Sequence, residues 1–303
     1  MGGLPSASER LLREGGSVRH FLIVGLNGLT LAALYFIVAS GFTLIFGMMR
    51  TVNLAHGSLY LFGAYFGYDA GRLSGNWYLA VLAGTVGMAI VGILIQVGLL
   101  GWMQGQDLRQ ALVTIGLSIV MADLLLAWYG GLTYQFTPPR AIFGSTPLPV
   151  VGGYSTFRLV LLGVAVLVGV LLWFLLNRTR LGMIIRAGVD DRDMLAALGV
   201  NVRRVFILVF ALGAGLAGLG GVIGGSTLSF SPGEDAHYLL SSLVVVIVGG
   251  MGSLGGAAIG ALLIGLAEQY GLAYQPTYSI LITFAIMVVV LALRPQGIMG
   301  RPA

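Results

Sequence analysis

The chain has no cysteine and no lysine, and few charges of either sign. Each shortage removes a class of function. Without cysteine there is no disulfide, no thiolate metal site and no thiol nucleophile. Without lysine there is no Walker A amine to reach nucleotide phosphates, and no Schiff-base amine. If ATP drives this protein, another chain must bind it. Only 9% of the 303 residues are charged, while 57% are hydrophobic; soluble domains carry about 25% charged residues. A chain so poor in charge cannot clothe a water-facing surface. It is predicted to be an all-α, polytopic integral membrane protein. The formal net charge of +5 reflects arginines gathered in loops and does not imply nucleic acid. The three histidines, His20, His56 and His237, are scattered, and no G-x-S-G tract or H-E-x-x-H zinc motif is present. That excludes an intramembrane enzyme.

What is present is apolar run after apolar run. A span needs about 20 such residues. Candidates cover residues 21–49, 54–67, 77–101, 111–130, 158–176, 204–225, 237–250, 257–275 and 277–293. Basic residues mark cytoplasmic loops. The 1–20 leader holds Arg10, Arg13 and Arg19, has no cleavage pattern, and reads as a cytoplasmic tail. The 177–204 stretch holds six arginines and three aspartates and reads as a cytoplasmic loop. Both inside requires an even number of crossings between them, so one of five candidates must fail. Leu54–Gly67 is the shortest and is assigned as non-crossing. The expectation is about eight spans in a single transmembrane domain over 21–303, with the Pro-rich 131–157 stretch and Ser231–Asp235 outside. A short or re-entrant 237–250 would change that count. The 48 glycines include stripes such as Gly63, Gly67, Gly71 and Gly213, Ala217, Gly221, Gly225, the spacing by which membrane helices approach closely. Gly249-Gly250-Met251-Gly252 is denser than packing needs and predicts a helix break.

The 177–204 loop predicts a short docking helix. Asp190 is a candidate N-cap, with Asp193 three residues on, and Asp191 adds to the acidic first turn. Met194, Leu195, Ala196, Ala197 and Leu198 supply the helix and its apolar tip, and Gly199 a C-terminal cap. An interfacial helix on lipid is the competing reading. Three aspartates count against it, because the inner leaflet is negative. Docking into a partner's groove fits better.

Within the spans, Asp123 and Glu268 stand out, since a charge at mid-helix costs at least about 2.5 kcal/mol. Asp123 is expected to pair inside the bundle, and Glu268 with an arginine or a backbone group near the outer surface. Asn27, Asn53 and His56 are the other hydrogen-bonding groups at depth. A secondary transporter coupled to an ion would have to use Asp123 or Glu268.

The runs 28–65, 180–205, 244–268 and 294–301, above all Val52-Asn53-Leu54-Ala55-His56-Gly57 and Gly249-Gly250-Met251-Gly252-Ser253, resemble the permeases of high-affinity branched-chain amino acid ABC transporters, LivH type. That resemblance implies one membrane subunit of an ATP-driven importer in the bacterial inner membrane. Its partners would be a second, homologous permease, two ATPases that bind ATP and Mg, and a periplasmic or lipid-anchored solute-binding protein. This chain would carry no cofactor. Its cytoplasmic loop would couple to an ATPase. Asn27, Asn53, His56, Gly57, Gly249, Gly250, Gly252 and Glu268 are the candidates for the translocation path. The solute would be a branched-chain or other hydrophobic amino acid, with urea or short amides as the alternative within the superfamily.

Overall fold

A computed structural model describes residues 7–49, 52–190 and 192–300. Its helices are α1 (Ala7–Met49), α2 (His56–Ser74), α3 (Trp77–Gly98), α4 (Asp107–Tyr129), α5 (Thr156–Arg178), α6 (Arg180–Asp190), α7 (Arg192–Ala197), α8 (Val202–Thr227), α9 (Asp235–Gly249), α10 (Leu254–Tyr274) and α11 (Ser279–Leu293). Among the described residues, seven segments are long and apolar enough to cross a membrane: Val18–Gly47, Trp77–Trp102, Asp107–Tyr129, Thr156–Arg178, Val202–Thr227, Leu254–Tyr274 and Pro276–Leu293. Two more fall short for different reasons. α2 carries Asp69 and Arg72 in its second half, and α9 has only 15 residues. The expected architecture of about eight spans with broken segments holds.

α8 is the hub, with α1, α2 and α3 packed around it. Its glycines make this contact. A Cβ on Gly213 would lie 2.7 Å from Gly41 O, one on Gly218 2.3 Å from Gly84 O, and one on Gly221 2.0 Å from Tyr60 O. Backbones this close leave no room for a methyl group, so the stripe is a packing surface, as its spacing implies.

The two ends of the bundle differ. At one, β1 (Ser145–Leu148) and β2 (Gly152–Ser155) form an antiparallel hairpin with Ser145 opposite Ser155. The Pro-rich stretch is therefore partly ordered strand, and Pro147 is tolerated there because a two-stranded ribbon is all edge. This hairpin end also holds the start of α1: Arg19 Nε donates to Val151 O at 2.9 Å, and Phe21 packs on Tyr270. Trp77 meets Phe157 there as well. The opposite, loop end holds α6 and α7, the contact of Gly47 with Gly252, and the C-terminal turn.

This arrangement corrects the crossing count. Leu54–Gly67 does not turn back: it lies mostly within α2, which runs toward the hairpin end and finishes beside α3 through the left-handed Gly75 and the N-cap Asn76. Five traversals, not four, separate residue 18 from the 177–204 loop. Residues 7–20 and that loop accordingly lie toward opposite ends of the bundle, and residues 1–6 lie outside the described residues. After the loop, α8, α9, α10 and α11 make four passes, and Arg294 returns to the loop end. That end carries Arg109, Arg178, Arg180, Arg186, Arg192, Arg203, Arg204 and Arg294. The hairpin end carries Arg19, Arg72, Arg140 and Arg158, with Arg10 and Arg13 on the outward extension of α1. The loop end is the richer in arginine, the pattern of a cytoplasmic face.

The predicted break at the glycine tract is present. α9 stops at Gly249, Gly250 (φ 110°) and Gly252 (φ 81°) take backbone that other residues resist, and Ser253 Oγ accepts from Gly256 N at 3.0 Å to start α10. The C-terminal turn closes over it: Ile298 N donates to Val248 O and Met299 N to Gly249 O, both at 2.9 Å.

Two measurements test this fold. Gly221→Ala, which forces a methyl against Tyr60 O, should destabilise the protein by about 1–3 kcal/mol, whereas Gly163→Ala on α5, with open space around it, should not destabilise it in the same thermal-unfolding assay. In this cysteine-free chain, His20→Cys and Val150→Cys should react with an impermeant maleimide from one side of the membrane and Leu198→Cys from the other. Labelling of His20→Cys and Leu198→Cys from the same side would refute the five-traversal path.

Candidate functional site

Two regions carry the chemistry that the sequence singled out. The first is the loop between α5 and α8. α5 gives way to α6 in so tight a reversal that a Cβ at Gly182 would lie 2.2 Å from Leu175 O. Gly182 N donates to Thr179 Oγ1 at 3.1 Å, closing the turn. α6 is amphipathic, with Ile185 buried and Met183 and Arg186 outward. α7 then ends in a Schellman motif: Gly199 N donates to Ala196 O at 3.0 Å and Val200 N to Leu195 O at 3.3 Å, with Gly199 at φ 81°. Asn201 Oδ1 accepts from Arg204 N at 3.1 Å and opens α8. The Gly199 cap is as expected.

The other end of the docking helix is not. Asp190 is the last residue of α6, and α7 begins at Arg192, so Asp190 does not cap it. Asp191, and the side chains of Asp190 and Asp193, lie outside the described residues. Leu195 is 4% exposed and holds α7 against the body, whereas Leu198 is 71% and Met194 61% exposed. Ala196 and Ala197 are also outward. The apolar tip thus consists of Met194, Ala197 and Leu198, and Leu195 is its anchor.

The second region is the point where the chain turns back from α1 into α2. Asn53 and His56 are buried at 4% and 0% exposure. Asn53 Oδ1 accepts from Ala55 N at 3.1 Å, and Leu54 N donates to Thr114 Oγ1 of α4 at 3.2 Å. His56 Nε2 lies 3.0 Å from Val38 O. Val38 is nine residues before Gly47, so α2 starts about 14 Å inside the loop end of α1. α9 starts at the same depth: a Cβ on Gly57 would meet Asp235 O at 2.1 Å, and Ser58 Oγ donates to Asp235 Oδ2 at 2.9 Å. Two helix N-termini therefore converge inside the bundle on a buried hydroxyl and a carboxylate, with the Tyr60 and Tyr238 rings beside them, centroids 3.9 Å apart and planes tilted by 30°. Thr43 Oγ1, Asn53 Nδ2 and His56 Nδ1 are buried and have no hydrogen-bond partner among the described residues. Leaving a buried donor or acceptor unpaired costs about 1–3 kcal/mol, and three such atoms lie along this one return. Ser58 and Asp235 were not singled out from sequence. The available signal was an aspartate two residues before an apolar segment too short to span.

The remaining candidates do not converge there. Glu268 Oε2 accepts from Tyr35 Oη at 2.8 Å, a phenol and not the expected arginine or backbone group. Asn27 Oδ1 accepts from Tyr154 Oη at 3.2 Å and from Arg158, tying α1 to α5 at the hairpin end. Gly249 and Gly250 pack against the backbones of Gly256 and Gly300, and Gly252 against Gly47; they form a knot at the loop end. Asp123 is exposed on α4, not paired inside the bundle. Above the α2–α9 junction, Tyr134 and Phe230 pair backbone to backbone and, with Tyr65, Tyr68 and Phe136, build an aromatic cap. Outside that cap a cleft of about 490 Å³ is lined by Gln135, Thr137, Arg158, Ser226 and Thr227 among others. No cluster of three or more potential metal ligands exists among the described residues.

A family model described as branched-chain amino acid transport system, permease component, matches residues 24–291. The permease protein BraD of the high-affinity branched-chain amino acid transport system of Pseudomonas aeruginosa is 28% identical over 301 residues, 94% of this chain and 97% of that one. LivH of Escherichia coli K12, a permease protein of the same kind of system, is 29% identical over 310 residues, covering 93% and 96%. LivM, a second permease protein from the same organism, is 28% identical over 303 residues, covering 90% and 70%. With its seven membrane-length helices, this chain is a multi-pass inner-membrane transport permease, and it belongs to the permease family of branched-chain amino acid transport systems.

Proposed function

We propose that this subunit of an ABC importer moves branched-chain or other hydrophobic amino acids inward and takes its energy through α7. The observation that carries the reading is the exposed tip of Met194, Ala197 and Leu198 at the basic end of the bundle, on a helix whose own anchor, Leu195, is fully packed. A six-residue helix does not hold itself together in water; here the Schellman turn and the Asn201 cap tie it to α8. Movement of a partner against that tip is passed to the hub helix. Two separate ATPases bind ATP and Mg and hydrolyse the nucleotide; a second permease completes the membrane part, and an external binding protein delivers the solute.

The solute path is read along the α1–α2 return and the start of α9. Asp235 can meet an ammonium group, and the unpaired atoms of Asn53, His56 and Thr43 can exchange hydrogen bonds with a passing polar head. Among the described residues of that path there is no arginine to hold the carboxylate. Such a path passes a zwitterion without gripping it, so chemical selection falls to the binding protein, and release is easy.

Leu198→Asp should abolish ATP-driven uptake, by at least about tenfold, because burying an unpaired carboxylate in an apolar groove costs several kcal/mol, while membrane insertion and thermal stability stay unchanged. Leu195→Asp should instead reduce the amount of folded protein. Normal transport by Leu198→Asp would remove α7 from the coupling route. Along the path, His56→Leu should lower the maximal uptake rate without altering the solute affinity of the binding protein; an unchanged rate would move the path elsewhere.

A further inference from the structure

α4 touches its own bundle along one narrow stripe. Gln110, Thr114, Met121 and Leu125 are its buried residues. At 3.6 residues per turn these four share one side, and Leu112, Gly116, Ile119 and Asp123 fall on the opposite one. All four of those are exposed, Leu112 at 59% and Ile119 at 56%. Asp123 has no hydrogen-bond or ion-pair partner among the described residues. It lies six residues before the end of α4, about 9 Å along the axis, and its short side chain cannot reach the headgroups from there. The outward faces of the other peripheral helices differ. On α5 the exposed positions Val166, Leu167, Val170 and Leu171 are purely apolar, which suits lipid. A carboxylate aimed at hydrocarbon does not.

We propose that the Leu112–Gly116–Ile119–Asp123 face of α4 is the surface on which the second, homologous permease docks, with Asp123 accepting a hydrogen bond from a donor on that partner. The proposal rests on the importer reading above. A second copy of this chain fits poorly. Among the described residues no arginine lies in the interior of any of the seven spans, so a two-fold contact through this face would set carboxylate toward carboxylate. A different chain with an arginine, histidine, amide or hydroxyl at the matching depth satisfies it. Gly116, with nothing within 4 Å of a Cβ placed on it, lets the partner's backbone come close.

The absence of cysteine makes the test direct. Gly116→Cys, Ile119→Cys and, as a control on α5, Val170→Cys are each expressed with the second permease, the ATPases and the binding protein, then labelled with a benzophenone maleimide and irradiated. The first two should yield an adduct with the second permease, and Val170→Cys should not. An adduct at twice the mass of this chain, or labelling of lipid alone from α4, overturns the proposal. Asp123→Leu should reduce the second permease recovered with this chain by about tenfold, the effect of losing one strong interhelical hydrogen bond, and Asp123→Asn should retain most of it. Equal recovery with Asp123→Leu overturns the role of the carboxylate. Uptake by the unaltered assembly is read in parallel. ATP-driven uptake without an α4 adduct defeats this interface alone, whereas no ATP-driven uptake by the complete assembly defeats the importer reading.

Discussion

Between helices in hydrocarbon there is no water to expel, so cohesion has to come from contact itself. α8 obtains that contact by presenting bare backbone where α1, α2 and α3 cross it, at Gly213, Gly218 and Gly221. Everything else is placed by this choice. Because α2 sits directly on α8, its first turn is held at mid-depth, and because α1 and α8 lie close, His56 reaches the carbonyl of Val38. Because α8 is packed on three sides, α7, joined to its start through the Gly199 and Asn201 turn, is tied to the whole bundle.

The two incomplete helices follow from the same packing. α2 and α9 both begin inside the membrane, and a helix that begins there leaves unpaired N–H groups that lipid cannot satisfy. At the start of α2 the chain meets this need with Asn53 Oδ1, which accepts from Ala55 N, and Thr114 Oγ1, which accepts from Leu54 N. Irregular backbone at that depth is tolerated because α1, α4 and the aromatic cap shield it.

Much of this was legible in the chain. Seven long apolar helices, the break at Gly250–Ser253 and the cap at Gly199 all follow from local composition, which lipid and backbone geometry enforce directly. What local composition cannot show is which side of a short helix faces the body. Leu195 and Leu198 share a stripe, and only the fold buries one and exposes the other. The path of α2 was hidden for a related reason. Its apolar part, 54–67, is too short to span, and its polar half, with Asp69 and Arg72, resembles a loop until Tyr129 is seen to bond Asp69. That misreading changed the parity of crossings between the start of α1 and the 177–204 loop. Asp123 was read as an internal partner because a buried site is the usual fate of a membrane carboxylate; nothing in the sequence told which way α4 would turn.

The turn formed by Gly297, Ile298 and Met299 lies last in the described chain, yet it supplies donors to the carbonyls of Val248 and Gly249, made some fifty residues earlier. Without that turn, the break between α9 and α10 would stand with two open acceptors. A chain cut short just after α11 would therefore hold every membrane-length helix among the described residues and still display an unfinished edge to quality-control proteases.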